Sequence, residues 1–119
     1  MLLKSFRHAA RGALTLIATQ SNARIHLAVT AAVALLGLLL GLSPDEWCWL
    51  IGAAALVLTA EAMNTAVELL GDAASGGDHH PLVGKAKDVA AAGVLLAAMG
   101  GALIGVIILL PQVVYNVRR

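Results

Sequence analysis

Glu61, Asn64, Thr65, Glu68 and Asp72 follow the apolar run 47–60 without a break. Steps of three and four residues stack these five polar groups on one side of an α-helix. A carboxylate at membrane depth is costly to ionise. A residue such as Glu61, abutting hydrocarbon-like sequence, therefore reads as functional where it faces protein or a water-lined site. The stripe points to chemistry or ion handling at a membrane surface.

Further along the chain, Lys85, Lys87 and Asp88 extend this set of charges. Carboxylates can hold Mg²⁺, which usually binds one or two of them together with phosphate oxygens. Lysines can neutralise phosphates as point charges. A carboxylate deeper in the apolar region could take a proton from a lipid hydroxyl. These parts together suit phosphoryl transfer from a nucleotide to a lipid. No Walker A loop is present: Ala86 follows Gly84-Lys85, and the position five before Gly84 is His79. The glycine-rich and catalytic-loop signatures of protein kinases are also missing. On spacing alone three classes stay open: a lipid-modifying enzyme, an ion- or proton-conducting helix bundle, and a structural small membrane protein. His79-His80 resembles a metal pair only superficially, because no third ligand lies nearby in the sequence. His26 reads equally as a site residue or as a histidine at a helix start. Arg24 reads as a lipid-phosphate contact or an anchor for the first span.

The elements that position these groups follow from composition and periodicity. The chain has 119 residues, of which 60% are hydrophobic and 13% charged, with a mean hydropathy of +0.86. Soluble domains carry about 45–50% apolar and about 25% charged residues, so an all-α integral membrane protein is expected, as a single domain over 1–119. Residues 2–20 form a basic amphipathic pattern, with Leu3, Phe6, Ala10, Leu14 and Ile17 on one face. This predicts a surface helix in the headgroup layer. No cleaved leader is expected, because Lys4, Arg7 and Arg11 interrupt the N-terminal segment. Three spans are predicted over 25–42, 44–73 and 85–110. Ser43-Pro44-Asp45-Glu46 is a helix-start signal with Ser43 as N-cap. Residues 74–84 read as a polar loop, and Pro111 is expected to end the last helix. Cys48 is the single cysteine, so no intrachain disulfide can form.

Lys4, Arg7, Arg11, Arg24, Lys85 and Lys87 flank the same side of these spans, and only Arg118 and Arg119 fall on the other. The positive-inside rule then places the stripe and Lys87-Asp88 in the cytoplasm. Gly37-x-x-x-Gly41 and Gly101-x-x-x-Gly105 permit close helix approach. Three thin helices enclose polar groups poorly, so a homo-oligomer is expected. The net charge of +1 gives no basis for a nucleic-acid partner, and none is expected.

The run Glu61-Ala-Met-Asn64-Thr65-Ala-Val-Glu68, then Asp72, then Lys85-Ala-Lys87-Asp88-Val-Ala-Ala, closely resembles the small integral-membrane prokaryotic diacylglycerol kinases. That family includes the undecaprenol kinases, towards which Asn22-x-Arg24-Ile25-His26 leans slightly. The resemblance covers residues 4–110. It implies a homotrimeric bundle in the cytoplasmic (inner) membrane of a prokaryote, with composite sites between subunits. These sites would use Mg²⁺ and ATP to phosphorylate a membrane lipid alcohol, diacylglycerol or undecaprenol. By motif position Glu61 is similar to the family's catalytic base and Asn64 to its polar partner. Glu68 resembles the metal-binding glutamate. Asp72, Lys87 and Asp88 fall where the family contacts nucleotide. Asp78, His79 and His80 occupy the covering loop, and His8 lies where some members carry an aromatic contact. The family usually has a metal-binding glutamate where this chain has Gln20. An amide oxygen can ligate Mg²⁺ but adds no charge, so weaker metal affinity is expected.

Overall fold

The computed structural model describes residues 1–119 and is entirely helical. Helix α1 covers Leu2–Thr19, α2 Ser21–Leu40, α3 Pro44–Ser75 and α4 Pro81–Val117. The last three are long and apolar enough to cross a membrane. At about 1.5 Å per residue, α3 and α4 measure roughly 48 and 55 Å, against about 30 Å of bilayer hydrocarbon. Both therefore project beyond the apolar layer, and their joined ends are the natural place for polar groups.

Each helix ends for a local reason. Gln20 adopts an extended conformation (φ −108°, ψ 111°) that separates α1 from α2. Arg24 reaches back across this break, its Nη1 donating to the carbonyls of Ile17 at 2.8 Å and Ala18 at 3.1 Å. The guanidinium thus satisfies carbonyls left open at the C-terminus of α1 and complements its dipole. Helix α2 stops at Gly41, whose φ of 69° is left-handed and suits glycine. Helix α3 opens with a full capping box: Ser43 Oγ accepts from Glu46 N at 3.3 Å, and Glu46 Oε2 accepts from Ser43 N at 2.8 Å. Gly76 ends α3 in the same left-handed way, and Pro81 occupies the first turn of α4.

Two expectations are corrected. The loop is shorter than 74–84, because α3 runs on to Ser75 and α4 already begins at Pro81. Pro111 does not end α4, which continues to Val117. Proline removes one backbone donor, but the following turn is held from outside the helix. Gln112 Nε2 donates to Glu46 Oε1 at 3.2 Å, tying this stretch to the start of α3.

Helices α3 and α4 form an antiparallel hairpin with the most extensive packing in the molecule, and α2 lies against both. Helix α1 has no buried residue and touches α2 and α3 only. A side chain at Gly37 would collide with Leu42 and Trp47, each 2.9 Å from its Cβ, so α2 receives the Trp47 ring on bare backbone. Gly101 plays a similar part against Val57 of α3. Only nine residues are buried, and three of them are Glu61, Asn64 and Thr65. Glu61 is the largest fully buried side chain of this thin bundle, while large apolar side chains such as Leu38, Leu70, Leu96 and Ile107 face outward.

Candidate active site

The polar stripe lies along the half of α3 that leads to the α3–α4 turn, buried at Glu61, Asn64 and Thr65 and exposed by Asp72. Glu61 is 1% exposed, Thr65 5% and Asn64 8%. Glu68 is half-buried and Asp72 exposed. Asn64 Nδ2 donates to Glu68 Oε1 at 3.3 Å, one helical turn away. Asn64 Oδ1, Thr65 Oγ1 and Glu61 Oε1 are buried and take part in no hydrogen bond. Buried polar atoms without partners are rare and call for an explanation such as an incoming ligand. Glu61 Oε1 does have a neighbour, His26 Nε2 of α2 at 3.3 Å, but the approach lies outside hydrogen-bond alignment. Sequence reasoning left His26 undecided. Its spacing from Ala23 and Thr30 places it on the inner face of α2, and that was the available signal.

At the turn, a second group gathers around a polar cavity of about 390 Å³. Asp72, Asp78, His79, His80 and Lys87 all line it, together with the backbone-rich Gly77 and Gly84. Lys87 Nζ donates to Asp72 Oδ1 at 2.5 Å across the hairpin. Gly71 makes that crossing possible: a Cβ there would sit 2.8 Å from Val83 Cγ1 and 3.1 Å from Lys87 Cε. A separate apolar groove of about 550 Å³ carries Asn64 and Lys85 among Met63, Val67 and Val89.

The remaining expected residues stand apart within one chain. Asp88 is exposed and does not line the polar cavity. His8 lies on α1, which makes no contact with α4. Gln20 bonds Thr19 Oγ1 through its amide at 3.4 Å, with no hydrogen bond to an α3 carboxylate.

No group of three or more His, Cys, Asp or Glu side chains converges as a metal cage. Magnesium bound with phosphate ordinarily takes only one or two protein carboxylates and keeps phosphate and water oxygens for the rest. Glu68 has one oxygen engaged by Asn64, and the unpartnered Asn64 Oδ1 is on the same helix face. These hard oxygen donors fit a metal that arrives with a nucleotide rather than a resident ion.

Three membrane-length helices with a polar cavity where α3 turns into α4 suggest an integral membrane protein. Comparison with known proteins specifies it further. The model of the family described as prokaryotic diacylglycerol kinase matches residues 7–109. The undecaprenol kinase of Bacillus subtilis (strain 168) is 38% identical over 109 residues, covering 92% of this chain and 88% of that protein. The diacylglycerol kinase of Synechocystis sp. (strain ATCC 27184 / PCC 6803 / Kazusa) is 41% identical over 110 residues, covering 92% of this chain and 63% of that protein. No solved structure gave a significant match. The chain belongs to the prokaryotic diacylglycerol kinase family and is a lipid kinase. A non-enzymatic conducting or structural bundle is not favoured.

Proposed function

We propose that this kinase transfers the γ-phosphoryl group of ATP to the hydroxyl of a membrane lipid, diacylglycerol or undecaprenol, at the cytoplasmic face of the inner membrane. The observation that carries this reading is Glu61: a carboxylate 1% exposed in a bundle of membrane-length helices, with His26 as its one basic neighbour and no aligned hydrogen bond to satisfy it. Such a group is placed to meet a hydroxyl that comes from the lipid side. Nucleotide enters at the polar cavity of the hairpin turn, where Lys87 offsets phosphate charge and Asp72 holds Lys87 in place. Asp78, His79 and His80 cover it, with Asp88 and His8 contributing from outside the cavity. From Asp72 to Glu61 is about 16 Å along α3, so a phosphate chain laid along the stripe passes Glu68 before it reaches Glu61.

Glu61 takes the hydroxyl proton as the lipid oxygen attacks the γ-phosphorus in line, and ADP leaves with the β–γ bridging oxygen. Asn64 orients Glu68 through its amide and presents Oδ1 to the reacting groups. Glu68, with Gln20, would hold Mg²⁺, which when bound neutralises charge on the phosphates. Helix α1 lies in the headgroup layer, where Leu3, Phe6 and Leu14 are exposed to lipid. A homotrimer covers the outward apolar faces and completes each site from a neighbouring subunit.

The test is transfer of label from γ-labelled ATP to diacylglycerol or undecaprenol, in separate lipid-doped micelles. One lipid should accept label, and Glu61→Gln should lower turnover by about 100-fold or more while leaving the folded assembly intact. Near-normal turnover in Glu61→Gln would remove Glu61 from the mechanism.

A further inference from the structure

We infer that His26 is the positioning residue for Glu61: its imidazole N–H orients the carboxylate for the lipid hydroxyl. The inference rests on the reading of Glu61 as the base. Glu61 is the most deeply enclosed charged side chain, with 2% of the side chain exposed against 23% for His26. An ionised carboxylate so buried is strongly disfavoured unless it is paired or hydrogen-bonded. Its lysine and arginine candidates are engaged elsewhere. Arg24 is committed to the carbonyls of α1, and Lys87 to Asp72. Lys85 faces the groove that carries Asn64.

His26 alone approaches Oε1, at 3.3 Å. Its position is fixed by its own helix: it lies between Ala23, fully buried, and Thr30, whose hydroxyl bonds the His26 carbonyl at 2.8 Å. On its other side the ring opens into an apolar cavity of about 310 Å³ between α2, α3 and α4. Helix α4 contributes only Ala98, Gly101 and Ala102 there, and α3 only apolar residues. The last turn of α1 carries no charged side chain. Within one chain, Glu61 is thus the one acidic group at ion-pair distance from the imidazole, and the imidazole the one basic group at that distance from Oε1.

The misalignment of the pair is consistent with this role. Hydrogen bonds of catalytic groups are often poorly aligned without substrate and tighten in the reacting complex. With Nε2 carrying hydrogen, a hydrogen bond to Oε1 leaves the other carboxylate oxygen for the lipid proton. The proton then moves from the lipid hydroxyl to Glu61, and His26 keeps its own.

A split between kcat and KM, with rescue by a donor, separates this role from simple packing. His26→Leu should lower kcat about tenfold or more at pH 7, with KM for ATP unchanged. His26→Gln, which keeps an N–H donor, should recover most of the lost kcat, and it also serves should the leucine variant misfold. Turnover within twofold of wild type in His26→Leu would overturn the inference. So would a loss of kcat that glutamine fails to rescue. Glu61→Gln, measured alongside, separates the two ideas. If it is inactive while His26→Leu is normal, only the His26 role falls. If it is active, the assignment of the base falls first.

Discussion

The two ends of the α3–α4 hairpin handle polar groups in opposite ways. At the end where α3 starts, every polar group named is matched: Ser43 and Glu46 cap each other, and Glu46 also receives Gln112. Toward the other end, Glu61, Asn64 and Thr65 are more deeply buried, yet each keeps an atom without a hydrogen bond. Paired groups at an exposed helix start stabilise the fold. Unpaired buried groups reduce stability, and binding or reaction is the explanation proposed for their presence. On that reading the same pair of helices is a clasp at one end and a site at the other.

The most forceful way to break that contrast is to make the site end apolar. Asn64→Leu replaces an amide with an unpaired oxygen by a side chain of similar volume. Removing a buried unsatisfied group is neutral or stabilising, by up to about 1 kcal/mol. Glu68 loses the 3.3 Å bond from Asn64 but is only half-buried, so water can replace it. Thermal stability should therefore hold or rise while lipid phosphorylation falls by roughly 100-fold, a loss of the size expected when a preorganised polar group is removed from a reacting centre. A variant that lost stability and kept turnover would invert the comparison.

Much of this contrast was legible in the residues. The stripe at 61, 64, 65, 68 and 72 needed only helical periodicity, and Ser43-Pro44-Asp45-Glu46 announced its capping box through residue types alone. The gathering of Asp72, Asp78, His79, His80 and Lys87 around one cavity also follows from a short turn between two long helices. What stayed hidden depends on contacts between distant segments. Pro111 looks like a helix stop because a local rule says so, and the Gln112–Glu46 bond that holds the next turn spans 66 positions. Arg24 reads as a lipid-phosphate contact or an anchor for the first span because nothing local shows that its fork turns back onto α1. His26 stayed undecided because its partner lies on another helix.

The close approach of the two helices at Gly71 belongs to the site end, and Gly71→Ala sharpens the comparison by loosening that end alone. The added Cβ would meet Val83 Cγ1 at 2.8 Å and Lys87 Cε at 3.1 Å, displacing the lysine that pairs with Asp72. That pair is largely exposed and contributes little to stability, so the expected effect lies in nucleotide binding. KM for ATP should rise about fivefold, equivalent to about 1 kcal/mol, with kcat changed far less. An unchanged KM would mean that Lys87 does not serve the nucleotide.

The smallest effect is expected at the opposite end, and it tests whether the clasp is only a clasp. Ser43→Ala removes the hydroxyl that accepts from Glu46 N and leaves the first turn of α3 with an open donor. Loss of an N-cap of this kind costs about 1 kcal/mol, which should appear as a lower midpoint for thermal unfolding in micelles. Turnover with lipid and ATP should stay at the wild-type value, because Glu61 lies 18 positions along α3, about 27 Å from the cap. A fall in kcat without a fall in stability would show that the two ends are coupled. The Gln112–Glu46 contact would then transmit the register of α4 to Lys87, and the division of the hairpin into clasp and site would no longer hold.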